Sequence, residues 1–293
     1  MIYISIKHSD LLPSNALFYV INLVILLSLS SAWAAEENYI PVESDVSFES
    51  VLDLPFRESD YQISYGNDPF QFGRLWLPVG DRLGTLVFIH GGCWLNEYNI
   101  DHAQGLSTAL ASAGYAVWSL EYRRTGDEGG GWPGTFDDVI AGINKTLDLA
   151  PYGVGVQDLA LVGHSAGGHL AVLAGAHSDR LTVEPDLVVG LAAITNVTSY
   201  SLGENSCQQA TPRFMGGVLE EREEAFYDAN PSNHGVHSPT FLLQGDLDQI
   251  VPPEQALLPD ATTVITSGAG HFDWVHPGTA AYRNLLDILS AEL

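Results

Sequence analysis

A chain of 293 residues, 46% of them hydrophobic and 16% charged, can bury a full core, which excludes a disordered or low-complexity protein. Its 36 acidic side chains against 11 basic ones, a formal net charge of -25, repel phosphate backbones and anionic lipid, so nucleic acid is not expected as a partner. The histidines lack H-E-x-x-H spacing and Cys93 and Cys207 lack C-x-x-C spacing, so neither a metal nor a cofactor is expected.

At the N-terminus, residues 16–29 are almost wholly apolar and lead to Ala32-Trp33-Ala34, a small-x-small cleavage pattern. The run is short for a membrane span. Residues 1–34 are expected to be a signal peptide, with an uncleaved membrane anchor as the alternative. Residues 35–293 are expected to form one periplasmic or secreted domain, with no stable membrane insertion after cleavage.

Two early strands are expected over 61–65 and 71–78, joined by the turn Gly66-Asn67-Asp68-Pro69. The apolar run from Thr85 to Ile89 reads as a strand buried on both faces and ends at His90-Gly91-Gly92. A helix over 101–113 stops at Gly114, a strand follows over 116–121, and a helix over 135–150. Then come a strand over 159–162, an Ala/Leu-rich helix over 166–176 and a strand over 187–194. Residues 195–239 break the rhythm as a polar, irregular insertion with one acidic helical stretch over 219–227. Strands over 240–244 and 262–265 and a closing helix over 278–289 complete the chain. The alternation predicts an α/β fold: a mostly parallel sheet of about eight strands, helices on both faces, and a short irregular insertion after the sixth strand. Ligands on such sheets bind at the carboxyl ends of strands.

Three motifs fall at those ends. Gly163-His164-Ser165-Ala166-Gly167 matches G-x-S-x-G between a strand and a helix, the setting of a nucleophile elbow. A serine hydroxyl needs a base, and the base needs an orienting acid, in the chain order Ser, acid, His. The strand over 240–244 ends in Gly245-Asp246-Leu247-Asp248, so either Asp248 or Asp246 could be the acid. His271 follows Gly268-Ala269-Gly270 after the next strand and is the expected base, while His164 and His169 flank the elbow as structural residues and His276 lies further off. Backbone N–H groups of Gly92, Cys93 and Ala166 are the expected oxyanion donors.

Together these residues resemble the α/β-hydrolase superfamily, in the branch that holds kynurenine formamidase-like proteins and hormone-sensitive-lipase-like esterases. His90-Gly91-Gly92-Cys93-Trp94 is similar to the HGG-x-W motif of the first group. Tyr122-Arg123 with Trp132-Pro133-Gly134 resembles a segment that both groups carry after the fourth strand. Gly245 to Pro252 resembles the acid motif G-x-x-D-x-x-V-P, and this likeness selects Asp248 over Asp246. The resemblance spans residues 61–289. It implies an α/β-hydrolase domain over 35–293, a Ser165, Asp248, His271 triad, and hydrolysis of small esters through an acyl-enzyme, with no cofactor. Cleavage of N-formyl aryl amines is the alternative; a peptidase or a non-catalytic binding module are remoter ones. Two departures stand out: Cys93, where Gly or Tyr is common, and Gln244, where a His is usual and little effect is expected.

Trp94, Trp132, Phe214 and Trp274 are candidates to line the substrate pocket, with loop packing as the competing reading. Arg123 is expected to pair structurally with Asp137 or Asp138. In this fold the insertion overhangs the pocket, so Cys207 could reach Cys93 and form a disulfide in an oxidising compartment; the alternative is two thiols that never meet.

Overall fold

Where the chain alternates apolar runs with turn residues, the computed structural model, which describes residues 39–237 and 239–293, places strands. The segment expected to be a signal peptide, residues 1–34, lies outside the described residues. A short helix not anticipated from the sequence, α1 (Phe48–Leu52), opens the described chain, its first turn capped by the Ser47 hydroxyl. Strands β1 (Tyr61–Ser64) and β2 (Phe72–Trp76) pair antiparallel across the turn at 66–69. Then β3 (Gly84–Ile89), α2 (Gln104–Ser112), β4 (Tyr115–Leu120), α3 (Gly134–Asn144), β5 (Leu159–His164), α4 (Ala166–Ala176) and β6 (Leu187–Leu191) alternate. The sheet closes with β7 (Thr240–Gly245) and β8 (Thr262–Thr266), and the chain with α8 (Ala280–Glu292).

The eight strands lie in the order β1-β2-β4-β3-β5-β6-β7-β8. β2 pairs antiparallel with β4, and every later pairing is parallel. Every residue of β3, β4, β5 and β6 is buried, which is why apolar residues dominate these strands. Side chains alternate between two cores, as the strand period of two requires. Val87 and Ile89 face one with α3, α4 and the insertion; Leu86 and Phe88 face the other with α2 and α8.

Two expected helices are shorter than read. The helix over 101–113 begins as a 3₁₀ turn (Ile100–Ala103) before α2. The helix over 135–150 gives way to a 3₁₀ stretch (Lys145–Tyr152) around Pro151, which lacks a donor and disfavours helical geometry before it. The insertion after β6 is not irregular: it holds α5 (Val197–Tyr200), α6 (Ser206–Met215) and α7 (Glu223–Asp228). Asn205 and Gln208 form a reciprocal capping box at the start of α6, a spacing readable in the sequence but masked by Pro212 further along. Among the described residues, no helix is long and apolar enough to cross a membrane.

Candidate active site

The turn from β5 into α4 holds Ser165 at φ 57°, ψ -120°, a conformation that a non-glycine residue adopts only where its surroundings impose it. The glycines of G-x-S-x-G follow from that turn. A Cβ on Gly163 would lie 2.2 Å from the Gly167 carbonyl oxygen, and one on Gly167 would lie 2.1 Å from that of Ile89. Ser165 donates its N–H to Leu191 O (2.8 Å), which ties the elbow to β6. The Ala166 N–H lies in the first turn of α4, where backbone donors lack an intrahelical acceptor.

At the end of β7, Asp248 is buried. Its Oδ2 accepts from His271 Nδ1 at 2.8 Å, and its Oδ1 accepts the Ile250 and Val251 N–H groups, each at 2.8 Å. Burial alone would raise the Asp248 carboxyl. The hydrogen bond and charge of His271, with the two backbone donors, hold it below its ordinary value instead. Asp246 makes no such contact; it accepts from Ser267 Oγ and the Gly268 N–H and so shapes the loop ahead of His271. Gln244, the departure expected to matter little, donates from Nε2 to Asp248 Oδ2 (3.1 Å) and to Val251 O (3.0 Å).

His164 donates from Nε2 to the His271 carbonyl (2.9 Å). Burial, then the neighbouring His271, keep the His164 imidazole well below its ordinary pKa, so it stays neutral. His169 accepts from Trp94 Nε1 (3.1 Å) and donates to Ala229 O (2.7 Å); burial lowers it to about 4. Both imidazoles are held by hydrogen bonds, and His164 also borders the cavity beside Ser165.

The loop after β3 runs through three consecutive left-handed residues: Gly92 (φ 113°), Cys93 (φ 52°) and Trp94 (φ 58°). It lies against the elbow, since a Cβ on Gly91 would stand 2.9 Å from the His164 carbonyl oxygen. A buried polar network that the sequence reading missed supports it. Glu121 accepts from His90 Nε2 (3.1 Å) and from the Ile100 and Tyr122 N–H groups, and the Tyr122 hydroxyl donates to His90 O (2.7 Å). Arg123 pairs with Asp138, while Asp137 goes to Arg180. A disulfide joins Cys93 to Cys207 of α6, with their Cα atoms 5.0 Å apart.

Ser165, His271, Gly92 and Cys93 open on one cavity of about 180 Å³. The aromatic candidates do not line it, which corrects that expectation. Trp94 (0% exposed) stacks on Phe214 (1%) with centroids 4.6 Å apart, and Trp274 (0%) sits in the opposite core. Trp132 lines a separate groove with Glu221 and Arg222. The cavity's aromatic wall is Phe48, Tyr98 and Phe272, and His102 and Ser206 supply polar groups. Only Phe272, beside His271, carried a positional signal; Phe48 and Tyr98 come from segments that the strand-helix rhythm does not mark. Among the described residues, no group of His, Cys, Asp or Glu is placed to hold a metal ion.

The BD-FAE family model matches residues 78–260. Esterase LipC of Mycobacterium tuberculosis is 26% identical over 247 residues, or 77% of this chain; the chain spans only 60% of that relative's length. Among solved structures, esterase B from Lactobacillus Rhamnosis (HN001) superposes with a TM-score of 0.67 at 19% identity, covering 94% of this chain and 97% of that one. The hyperthermophilic esterase from the archaeon Pyrobaculum calidifontis gives 0.66 at 20% identity, covering 83% and 87%. These likenesses bear out the α/β-hydrolase fold expected from the sequence.

Proposed function

The chain belongs to the BD-FAE family, and from that premise we propose that it is a serine hydrolase that cleaves small carboxylic esters through an acyl-enzyme. The observation that carries the reading is the shared cavity: the elbow serine and His271, whose Nδ1 is hydrogen-bonded to the buried Asp248 behind it, open on the same space. Ser165 Oγ attacks the ester carbonyl carbon as its proton passes to His271 Nε2. The carbonyl oxygen takes up the negative charge and is held by the N–H groups of Gly92, Cys93 and Ala166, each donor being worth roughly 3 kcal/mol in the transition state. The ester C–O bond then breaks, and His271 returns the proton to the leaving alkoxide. Water repeats the sequence on the acyl-enzyme and releases the acid. Throughout, Asp248 holds the Nδ1–H tautomer and stabilises the imidazolium.

The esterase names of similar proteins support this reading. The formamidase alternative, which rested on the likeness of His90 to Trp94 to the HGG-x-W motif, gains no support from those names. Export is part of the proposal: cleavage before Ala35 would deliver the chain to a compartment in which the Cys93–Cys207 bridge persists. Fluorophosphonate labelling of Ser165, together with turnover of a p-nitrophenyl ester panel, tests the activity. An unlabelled protein would sink it. Sequencing the N-terminus of protein recovered from its native host tests export, and a start at Met1 in a cytosolic fraction would refute it.

A further inference from the structure

The family match begins at residue 78 and ends at 260, so it includes neither His271 nor the segment that precedes β1. Those two outlying pieces are packed together. The Val42 N–H donates to Gly278 O (3.1 Å). The Asp45 N–H reaches both oxygens of Asp273 (3.0 and 2.8 Å), and the Val46 N–H reaches Oδ2 (3.2 Å). The same Oδ2 accepts the N–H of Gly270, the residue before His271 (2.9 Å). Asp273 is fully buried, so one carboxylate clamps the N-terminal arm to the His271 loop.

The glycines of that loop record the same contact. Neither Gly270 nor Gly278 has a positive φ, so conformation does not explain them. A Cβ on Gly278 would lie 2.4 Å from the Ile40 carbonyl oxygen, and one on Gly270 would lie 3.2 Å from the Asp45 Cα and 2.3 Å from its Oδ1. The loop is built to take the arm at close range.

The arm ends where Ser47 caps α1, and the first residue of that helix, Phe48, enters the cavity. Its ring lies 5.3 Å from Phe272, 5.9 Å from Tyr98 and 5.7 Å from His102, centroid to centroid. From this geometry we infer that residues 40–48 form a wall of the active site: Phe48 sets the size of the group that the cavity admits, and Asp273 is a positioning residue that fixes the arm and the His271 loop to one another. The inference rests on the ester-hydrolase reading, because the group admitted is the acyl or alcohol part of the substrate.

The test uses the full chain and two ester series: p-nitrophenyl acetate, butyrate, hexanoate and octanoate, and ethyl, butyl and hexyl acetates. Opening a hydrophobic wall by several carbons changes discrimination by about tenfold or more. Phe48→Ala, and Phe48→Leu should the first fold poorly, is expected to raise the long-to-short ratio of kcat/KM about tenfold in one of the series. Phe48→Trp should lower it. Asp273→Asn is expected to shift the ratio in the same direction as Phe48→Ala, to lower kcat on every ester, and to speed amide hydrogen exchange at 45 and 46. If wild type turns over esters but the Phe48 variants leave both ratios unchanged, the wall is refuted and the ester-hydrolase reading survives. If Asp273→Asn leaves kcat and exchange untouched, the clamp is refuted. A wild type that turns over no ester and takes no fluorophosphonate sinks the hydrolase reading itself, and this inference with it.

Discussion

Ser165 shows how one residue's conformation constrains its neighbours. Its positive φ costs roughly 1–3 kcal/mol and persists because β5, β6 and α4 fix the turn on all sides. Ser165→Ala keeps the turn and removes the nucleophile, so kcat is expected to fall by about five to six orders of magnitude with little change in melting temperature. Asp248→Asn should cost about 10⁴-fold, because the amide cannot hold the productive His271 tautomer. Asp246→Asn should cost far less, since the Asp246 carboxylate accepts from Ser267 and Gly268 and not from His271. Steady-state kinetics on one ester ranks the three, and a larger loss at Asp246 would contradict the Asp248–His271 geometry. Spacing alone left Asp246 and Asp248 open, and motif likeness favoured Asp248; the His271 hydrogen bond agrees. Spacing could not reveal Gln244, whose side chain reaches Asp248 only because β7 and the following loop fold back on one another.

At the level of elements, the strands were legible in place and order, with ends off by up to three residues, because burial on both faces leaves a mostly apolar run between turn residues. Within the insertion the acidic stretch over 219–227 was legible and coincides with α7 and the 3₁₀ turn before it, but α5 and α6 were not; α6 is polar along much of its length and carries Pro212. The pocket wall was not legible either. An aromatic residue near a motif can face the cavity or the core with equal chemical sense, and Trp94 and Phe214 chose the core. The sequence left open whether Cys93 and Cys207 meet, and the structure joins the loop after β3 to α6 through them. The Cys93–Cys207 bridge spans a sequence separation of 114, for which the chain-entropy model gives a stabilisation of roughly 4–5 kcal/mol. On the proposed mechanism it also anchors a loop whose N–H donors must be in place before charge develops on the substrate. Reduction by a dithiol should therefore lower both the melting temperature and kcat, and Cys207→Ser should reproduce both effects. Two titratable thiols in the denatured, unreduced protein would refute the bridge.

For the whole molecule, the dependence of stability on pH follows from the histidines that folding buries in neutral form. His164 lies well below its ordinary pKa and His169 at about 4, each chiefly through burial. Unfolding returns both to about 6.5, so between pH 6.5 and 4 the unfolded chain binds more protons than the folded one. Stability is thus fully present above 6.5 and falls as pH drops, by up to about 1.4 kcal/mol per pH unit for each histidine. Asp248 has the opposite chemistry but loses stability in the same direction. Its lowered carboxyl favours the folded state above about 3.9, and this contribution disappears only as the pH falls through the folded value. The net charge of -25 works against both trends, because protonating surface carboxylates relieves self-repulsion; salt at about 1 M shortens the screening length to about 3 Å and suppresses that term. Melting temperatures measured at high salt are expected to be level above pH 7 and to decline from pH 6.5 to 4. His169→Gln, which keeps a donor and an acceptor for Ala229 and Trp94 but cannot titrate, should make that decline shallower by one histidine's share. An identical slope in wild type and variant would show that His169 is not held neutral in the fold.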